Sequence, residues 1–185
     1  MKIKSILIAS LSILILAIGV LAQDKTDNFE GVWKLDASKS ELDEKVRFTA
    51  MTMTVNQTNE ALSIKKKAET DNDLPSNVQR IKVSSKDKRG EIYKLDGTET
   101  SSELDGEAEG EVKFKTETEN EGKLILIKNI NLNYMGNEIN TTITETWELS
   151  SDGKTLIVNS KTETQRGEIV SKMVFDKVVP NEKGL

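Results

Sequence analysis

Cysteine and histidine are both absent from this chain of 185 residues. Without cysteine there are no disulfides and no thiolate ligands, so packing and hydrogen bonding must stabilise the fold. Without histidine there is no Ser-His-Asp or Cys-His nucleophilic site, and the usual ligands of zinc, copper and haem are missing. Carboxylates, lysine and tyrosine remain, but no spacing among them singles out a catalytic pair. The sequence therefore predicts a protein that is not an enzyme and that holds no metal or cofactor.

The long hydrophobic run of the chain stands at its N-terminus. Two lysines precede an almost unbroken apolar segment from Ile6 to Val20, and Val20 and Ala22 are small residues at the −3 and −1 positions of a cleavage point before Gln23. This pattern is typical of a secretory signal peptide, although an uncleaved anchor is the alternative. We expect residues 1–22 to be a cleaved signal peptide, the protein to be secreted or periplasmic, and the mature chain to have no membrane span.

Positive charge is in the minority, with 26 Lys and Arg against 31 Asp and Glu and a net charge of −5. Loss of the leader, which carries two lysines and no acidic residue, makes the net charge −7. An acidic surface repels phosphate backbones and anionic lipid headgroups. No nucleic-acid partner is therefore expected.

Apolar and polar residues alternate with a period of two along most of the remaining chain, and no segment has a convincing helical period. Turn signals such as Asp152-Gly153 separate the alternating segments. Strands are predicted over residues 31–37, 47–57, 61–68, 78–86, 91–95, 111–118, 123–134, 138–149, 155–165 and 168–179. The acidic, glycine-bearing stretch 96–110 is expected to be a loop.

Successive hairpins with one apolar face favour an all-β fold, a single antiparallel up-and-down β-barrel of about 8–10 strands. Proline is scarce, and Pro180 marks the end of the last strand because proline cannot donate to a ladder. We expect a short linker over residues 23–30, the barrel over residues 31–179 and a tail over residues 180–185.

The barrel domain opens with the sequence GVWKLDASKS at residues 31–40. It resembles the G-x-W-x-L-D-x-x-K-S opening of exported bacterial lipocalin-like proteins, and lipocalins and their calycin relatives share a G-x-W on the first strand. The resemblance implies a β-barrel in which Gly31 lets strands approach closely and Trp33 plugs one end, with Asp36 part of the same motif. In lipocalins a basic residue near the last strand often packs over that tryptophan. The candidates for this contact are Arg166, Lys172 and Lys177.

Methionine and aromatic side chains occupy inward-facing positions on several predicted strands. Methionine adapts its shape and aromatic rings cover a large area, so both types can line a pocket for apolar molecules as well as fill a core. The residues concerned are Met51, Met53, Phe114, Tyr134, Trp147, Met173 and Phe175. They predict an exported, non-catalytic barrel that binds or carries a small hydrophobic, lipid-like ligand.

The alternative is a structural or interaction module of the cell envelope with a filled core and no ligand. Ile125 and Ile127 motivate it, because they lie on the opposite face of their strand from Leu126 and would point outward from a simple barrel. An outward apolar pair of this kind fits a dimer contact or a position beneath a loop. The chain is accordingly expected to be a monomer or a weak homodimer.

Overall fold

A computed structural model describes residues 27–46, 48–70, 83–118 and 123–179. These residues form eleven β-strands and no helix, which confirms the predicted all-β fold. Within them there is therefore no helix long and apolar enough to cross a membrane. The expected signal peptide, the first residues of the fourth predicted strand and the expected C-terminal tail lie outside the described residues. The strands are β1 Gly31–Leu35, β2 Phe48–Gln57, β3 Ala61–Thr70, β4 Val83–Ser85, β5 Glu91–Lys94, β6 Thr100–Gly106, β7 Glu109–Thr118, β8 Leu124–Tyr134, β9 Asn137–Leu149, β10 Thr155–Thr164 and β11 Gly167–Lys177.

All eleven strands belong to one antiparallel sheet in the order β4-β6-β7-β8-β9-β10-β11-β1-β2-β3-β5. Strands β6 to β11 and strands β1 to β3 form two up-and-down meanders. The pairing of β1 with β11, which aligns Trp33 with Lys177, joins the two meanders into a single curled sheet. The sheet forms a half-barrel, which confirms the predicted up-and-down arrangement of antiparallel strands.

The short strands β4 and β5 follow each other in the chain but form opposite edges of the sheet, β4 paired with β6 and β5 paired with β3. Side chains bridge the space between β5 and β7. The rings of Tyr93 and Phe114 pack edge-on with their centroids 5.2 Å apart, and the Thr116 hydroxyl donates a hydrogen bond to the carbonyl of Lys94 at 2.5 Å. These contacts cross the open side of the half-barrel, and both edges are short, which limits their pairing with other chains.

Strand β6 lies within residues 96–110, so the prediction that this stretch is a loop is wrong. The strand contains a single buried apolar residue, Leu104. Backbone hydrogen bonds to β7 on one side and β4 on the other hold it in place. A strand that is held by backbone pairing, without an apolar face, shows no alternation of apolar and polar residues in its sequence. With β6 the described residues have eleven strands.

The largest fully buried side chains pack together inside the curl of the sheet, and they include Phe29, Trp33 and Trp147. Phe29 precedes β1, in the stretch expected to be a linker. Its backbone N–H donates to the side-chain oxygen of Gln57 at 2.7 Å, and its ring packs edge-on against Trp147 at 5.6 Å between centroids. The packed core therefore begins before Gly31. We call the end occupied by these three aromatic residues the closed end.

Candidate ligand-binding site

Gly31 and Trp33 of the opening motif shape the closed end. Trp33 is fully buried, and its indole N–H donates to the carbonyl of Phe29 at 2.9 Å. The ammonium nitrogen of Lys177 lies 5.0 Å from the centre of the Trp33 ring, so of the three basic candidates Lys177 makes the cation–π contact. Gly31 has a φ of +140°, and a Cβ there would lie 2.7 Å from Cε of Lys177. Glycine avoids both the backbone strain and the collision.

Asp36 and its neighbours fasten the chain to β11. The Asp36 carboxylate accepts hydrogen bonds from the N–H and the hydroxyl of Ser38 at 2.9 and 2.6 Å, and it pairs with Lys39 at 2.9 Å. These partners, the Ser38 hydroxyl foremost, lower the pKa of Asp36 to about 2. The Ser40 hydroxyl donates to the Asp36 carbonyl at 2.7 Å and accepts from the N–H of Val174 at 2.9 Å. The motif thus serves the fold, and none of its residues lines either of the two cavities described next.

The inner wall changes character from the closed end towards the mouth, by which we mean the end that carries the β8–β9 and β10–β11 turns. Paired residues of β9, β10 and β11 form successive rows across this wall. From the closed end the rows are Leu149, Leu156 and Phe175, then Trp147, Val158 and Met173, then Glu145, Ser160 and Ser171, then Ile143, Thr162 and Ile169. The first two rows are apolar, the third is polar and the fourth is mixed. A polar layer therefore lies across the interior.

A cavity of about 220 Å³, which we call the first cavity, opens beside this polar layer. Most of its wall is apolar and comes from β2, β9, β10 and β11. The apolar lining residues are Val46, Met51, Met53, Ile143, Val158, Ile169, Met173 and Phe175, and the polar ones are Lys66, Lys128, Glu145, Ser160, Thr162 and Ser171. The first cavity therefore has flexible methionine side chains in its apolar lining and the charged side chains of Lys66, Lys128 and Glu145 in its polar lining.

The second cavity has a volume of about 480 Å³ and lies between β3, β8 and the strands β4 to β7. Its lining residues are Ile64, Lys65, Lys66, Val83, Ser85, Gly90, Glu91, Leu104, Val112, Phe114, Lys128 and Ile130. Lys66 and Lys128 line both cavities. The two ammonium groups therefore form a shared wall between the cavities.

Four charged side chains, which we call the ionic network, build this wall: Lys66, Glu91, Lys128 and Glu145. Lys66 Nζ lies 2.7 Å from Glu145 Oε1 and 3.7 Å from Glu91 Oε2. Lys128 Nζ lies 2.7 Å from Glu91 Oε1. The side chains are 9 to 21% exposed, so these ion pairs are largely removed from water.

Two aromatic side chains hold the carboxylates of the ionic network. The indole N–H of Trp147 donates to Glu145 Oε2 at 3.0 Å, and the hydroxyl of Tyr93 donates to Glu91 Oε2 at 3.3 Å. Burial raises the pKa of the Tyr93 hydroxyl well above its ordinary value, and the charge of Glu91 adds to this rise. Tyr93 therefore stays a hydrogen-bond donor across the ordinary pH range.

Lys66 and Glu91 of the ionic network stay charged at neutral pH. Burial alone would lower the pKa of Lys66, but the charges of Glu145 and Glu91 outweigh it and raise that pKa above its ordinary value. Burial alone would raise the pKa of Glu91, but the charges of Lys66 and Lys128 outweigh it and lower that pKa to about 2. The shared wall therefore holds a fixed positive charge at Lys66 and a fixed negative charge at Glu91.

The structure brings together four of the seven residues that the sequence offers as ligand contacts. Met51, Met53, Met173 and Phe175 line the first cavity, and Phe114 lines the second. The other two line neither of these cavities. Trp147 is fully buried beneath Glu145, and Tyr134 is half-buried at the end of β8.

The ionic network is the part of the site that the sequence reasoning missed. Lys66 follows Leu62 and Ile64 at the inward spacing of β3, and Lys128 stands between Leu126 and Ile130 at the inward spacing of β8. Glu91 and Glu145 likewise share an inward face with the aromatic residue two positions later. The signal was a charged residue in phase with an apolar face. This signal is weak, because a charged residue on a strand usually lies on the outer face of the sheet.

No known protein family matches the chain, and no curated protein and no solved structure matches it either.

Proposed function

We propose that this protein is an exported, non-catalytic barrel of lipocalin-like type that binds or carries a small hydrophobic ligand in the first cavity. The observation that carries the proposal is the wall of that cavity, where Met51, Met53 and Met173 surround a space of about 220 Å³. Methionine has three rotatable bonds and a polarisable sulfur, so it fits ligands of irregular shape. An apolar cavity with a few polar groups at one side is the usual form of a small-molecule site.

The arrangement at the closed end supports the lipocalin-like part of the proposal. Gly31, Trp33 and Lys177 lie together in the way that the resemblance of the opening motif implies for a barrel plugged at one end. The export part rests on the N-terminal sequence, and N-terminal sequencing of the natural protein tests it. A chain that begins at Gln23 is the expected result, and one that retains residues 1–22 would contradict it.

A neutral fluorescent probe, N-phenyl-1-naphthylamine, tests the cavity directly. Met53→Trp puts a larger side chain into the cavity wall, and Met51→Trp does so at a half-buried position that tolerates the change better. Met135→Trp is the matched control, because Met135 is 82% exposed on the β8–β9 turn. The wild type and the control are expected to bind the probe equally, and either cavity variant is expected to bind at least about tenfold more weakly.

Equal probe binding by a folded Met51→Trp or Met53→Trp protein would contradict the proposed site. Folding is checked by the near-ultraviolet circular dichroism of the buried tryptophans. If the wild type itself takes up no probe, the cavity does not serve this class of ligand.

A second candidate function is an interaction module of the envelope, and the outer face of β8 favours it. Ile125 and Ile127 are both half-buried there, opposite Thr146 and Thr144 of β9. Light scattering of the wild type and of an Ile125→Lys, Ile127→Lys double variant tests this candidate. A wild-type dimer that dissociates in the variant would support it, and a monomeric wild type would contradict its dimer form.

A further inference from the structure

We propose that the ligand is an amphipath with an anionic head group, a carboxylate being the simplest, which binds Lys66 and Lys128 while its apolar chain fills the first cavity. This inference rests on the proposed function and adds the chemical class of the ligand. It is carried by the hydrogen-bonding capacity and the charge of the wall between the two cavities.

The carboxylates of the ionic network already have partners at every oxygen. Glu145 accepts from Lys66 at Oε1 and from Trp147 at Oε2. Glu91 accepts from Lys128 at Oε1 and from Tyr93 at Oε2. Each carboxylate oxygen of the wall thus has one partner within the protein.

The ammonium groups have donors to spare. Each has three N–H donors, and among the described residues Lys66 makes one hydrogen bond, to Glu145, and Lys128 makes one, to Glu91. The 3.7 Å approach of Lys66 to Glu91 is an ion pair beyond hydrogen-bonding distance. The wall therefore offers a ligand N–H donors from both lysines, so it fits a head group that accepts hydrogen bonds.

The charges that line each cavity favour an anion. The charged residues of the first cavity are two lysines, Lys66 and Lys128, and one carboxylate, Glu145. The second cavity adds Lys65 to the same two lysines and has Glu91 as its carboxylate. Cations outnumber anions in the lining of each cavity, because Lys66 and Lys128 line both, while the ionic network itself has two cations and two anions. Charge-assisted bonds to a carboxylate are about twice as strong as bonds to a neutral acceptor.

The strand register places the two lysines beside the apolar wall of the first cavity. Lys66 lies opposite Met53 in the β2–β3 ladder, and Lys128 lies opposite Ile143 in the β8–β9 ladder. Met51, Met53 and Ile143 all line the first cavity. A head group held by the two lysines therefore places its chain against the methionines of β2.

Three probes with the same chain separate head-group chemistry from apolar binding: decanoate, decanol and decylammonium, with the two ions titrated calorimetrically below their micelle concentrations and decanol below its solubility limit. Decanoate is expected to bind at least about tenfold more tightly than decanol, and decylammonium more weakly than decanol. This comparison uses the unaltered protein, so it does not depend on the folding of a variant.

A charge-balanced pair of substitutions then locates the preference. Lys128→Met with Glu91→Gln removes one cation and one anion together, which avoids leaving a buried charge without a partner. Lys115→Met with Glu117→Gln is the matched control, because that ion pair is exposed on β7. The network variant is expected to lose at least about tenfold in decanoate affinity and to keep its decanol affinity, while the control keeps both.

The outcomes separate this inference from the proposed function. Equal affinity for decanoate and decanol, or tighter binding of decylammonium, would overturn the anionic head group and leave the hydrophobic carrier in place. Binding of none of the three probes would overturn both. Full decanoate preference in the folded network variant would show that Lys128 does not hold the head group.

Discussion

Removal of the Lys66 ammonium tests directly how much the buried ionic network contributes to the free energy of unfolding. Lys66→Met keeps most of the apolar stem but leaves Glu145 Oε1 without the partner that lies at 2.7 Å. The Glu145 side chain is only 9% exposed, so water replaces that partner poorly. Glu145→Gln added to Lys66→Met removes the unpaired charge and keeps an oxygen that accepts from the indole of Trp147.

Breaking a buried ion pair by removing one partner costs about 3–5 kcal/mol of unfolding free energy. The loss for Lys66→Met is expected near the lower limit, about 3 kcal/mol, because Glu145 keeps its bond from Trp147 and Lys66 is 20% exposed. The double variant is expected to recover most of this, to within about 1 kcal/mol of the wild type. Lys115→Met breaks the exposed Lys115–Glu117 pair and is expected to cost about 1 kcal/mol or less.

Urea unfolding followed by tryptophan fluorescence measures these differences, because Trp33 and Trp147 are the two tryptophans of the chain and both are fully buried. The diagnostic result is a double variant more stable than the single one. Two results would contradict the burial and pairing of the ionic network. One is a loss of unfolding free energy in Lys66→Met that is no larger than in Lys115→Met. The other is a double variant whose loss equals the sum of the losses in Lys66→Met and Glu145→Gln.

Three further predictions concern a glycine, a carboxylate and a turn. Gly31→Ala is expected to destabilise the fold by about 1–2 kcal/mol in urea, because of its positive φ and the Lys177 side chain behind it, and an unchanged midpoint would contradict this. Glu91 has a folded pKa of about 2 against an ordinary value of 4.5, so its contribution is complete above pH 4.5 and is lost as the pH falls towards 2. The stability lead of the wild type over Glu91→Gln should therefore shrink by roughly 3 kcal/mol between pH 6 and pH 2, and a constant lead would refute the shift. Met135→Gly is expected to stabilise the β8–β9 turn by about 0.5–1 kcal/mol, because Met135 is exposed with a φ of +52°, and a lower midpoint would contradict it.

Strands with an apolar face were predictable because alternation reports burial on one side of a sheet. Strand β6 was not, since a single buried leucine carries no period and the order of the strand comes from pairing with residues elsewhere in the chain. The same limit applies to Lys177. The opening motif indicated that a basic residue covers Trp33, but only the β1–β11 register determines which one.

The candidate site also has one part that the sequence predicts and one part that it does not. Met51, Met53 and Met173 could be placed inside from their spacing alone. The ionic network required knowledge of which strands face each other, because Lys66 and Glu145 are 79 residues apart in the chain and meet only across the interior. A charged residue at an inward-facing position of one strand indicates such a network when another strand has a residue of opposite charge at an inward-facing position.

Native mass spectrometry of the protein isolated from the secreted or periplasmic fraction, to which we propose it is exported, tests the central claim most directly. The account predicts one small amphipathic molecule per chain, released on unfolding and recovered in an organic extract. A protein with the mass of the polypeptide alone, which also fails to take up decanoate, would contradict it.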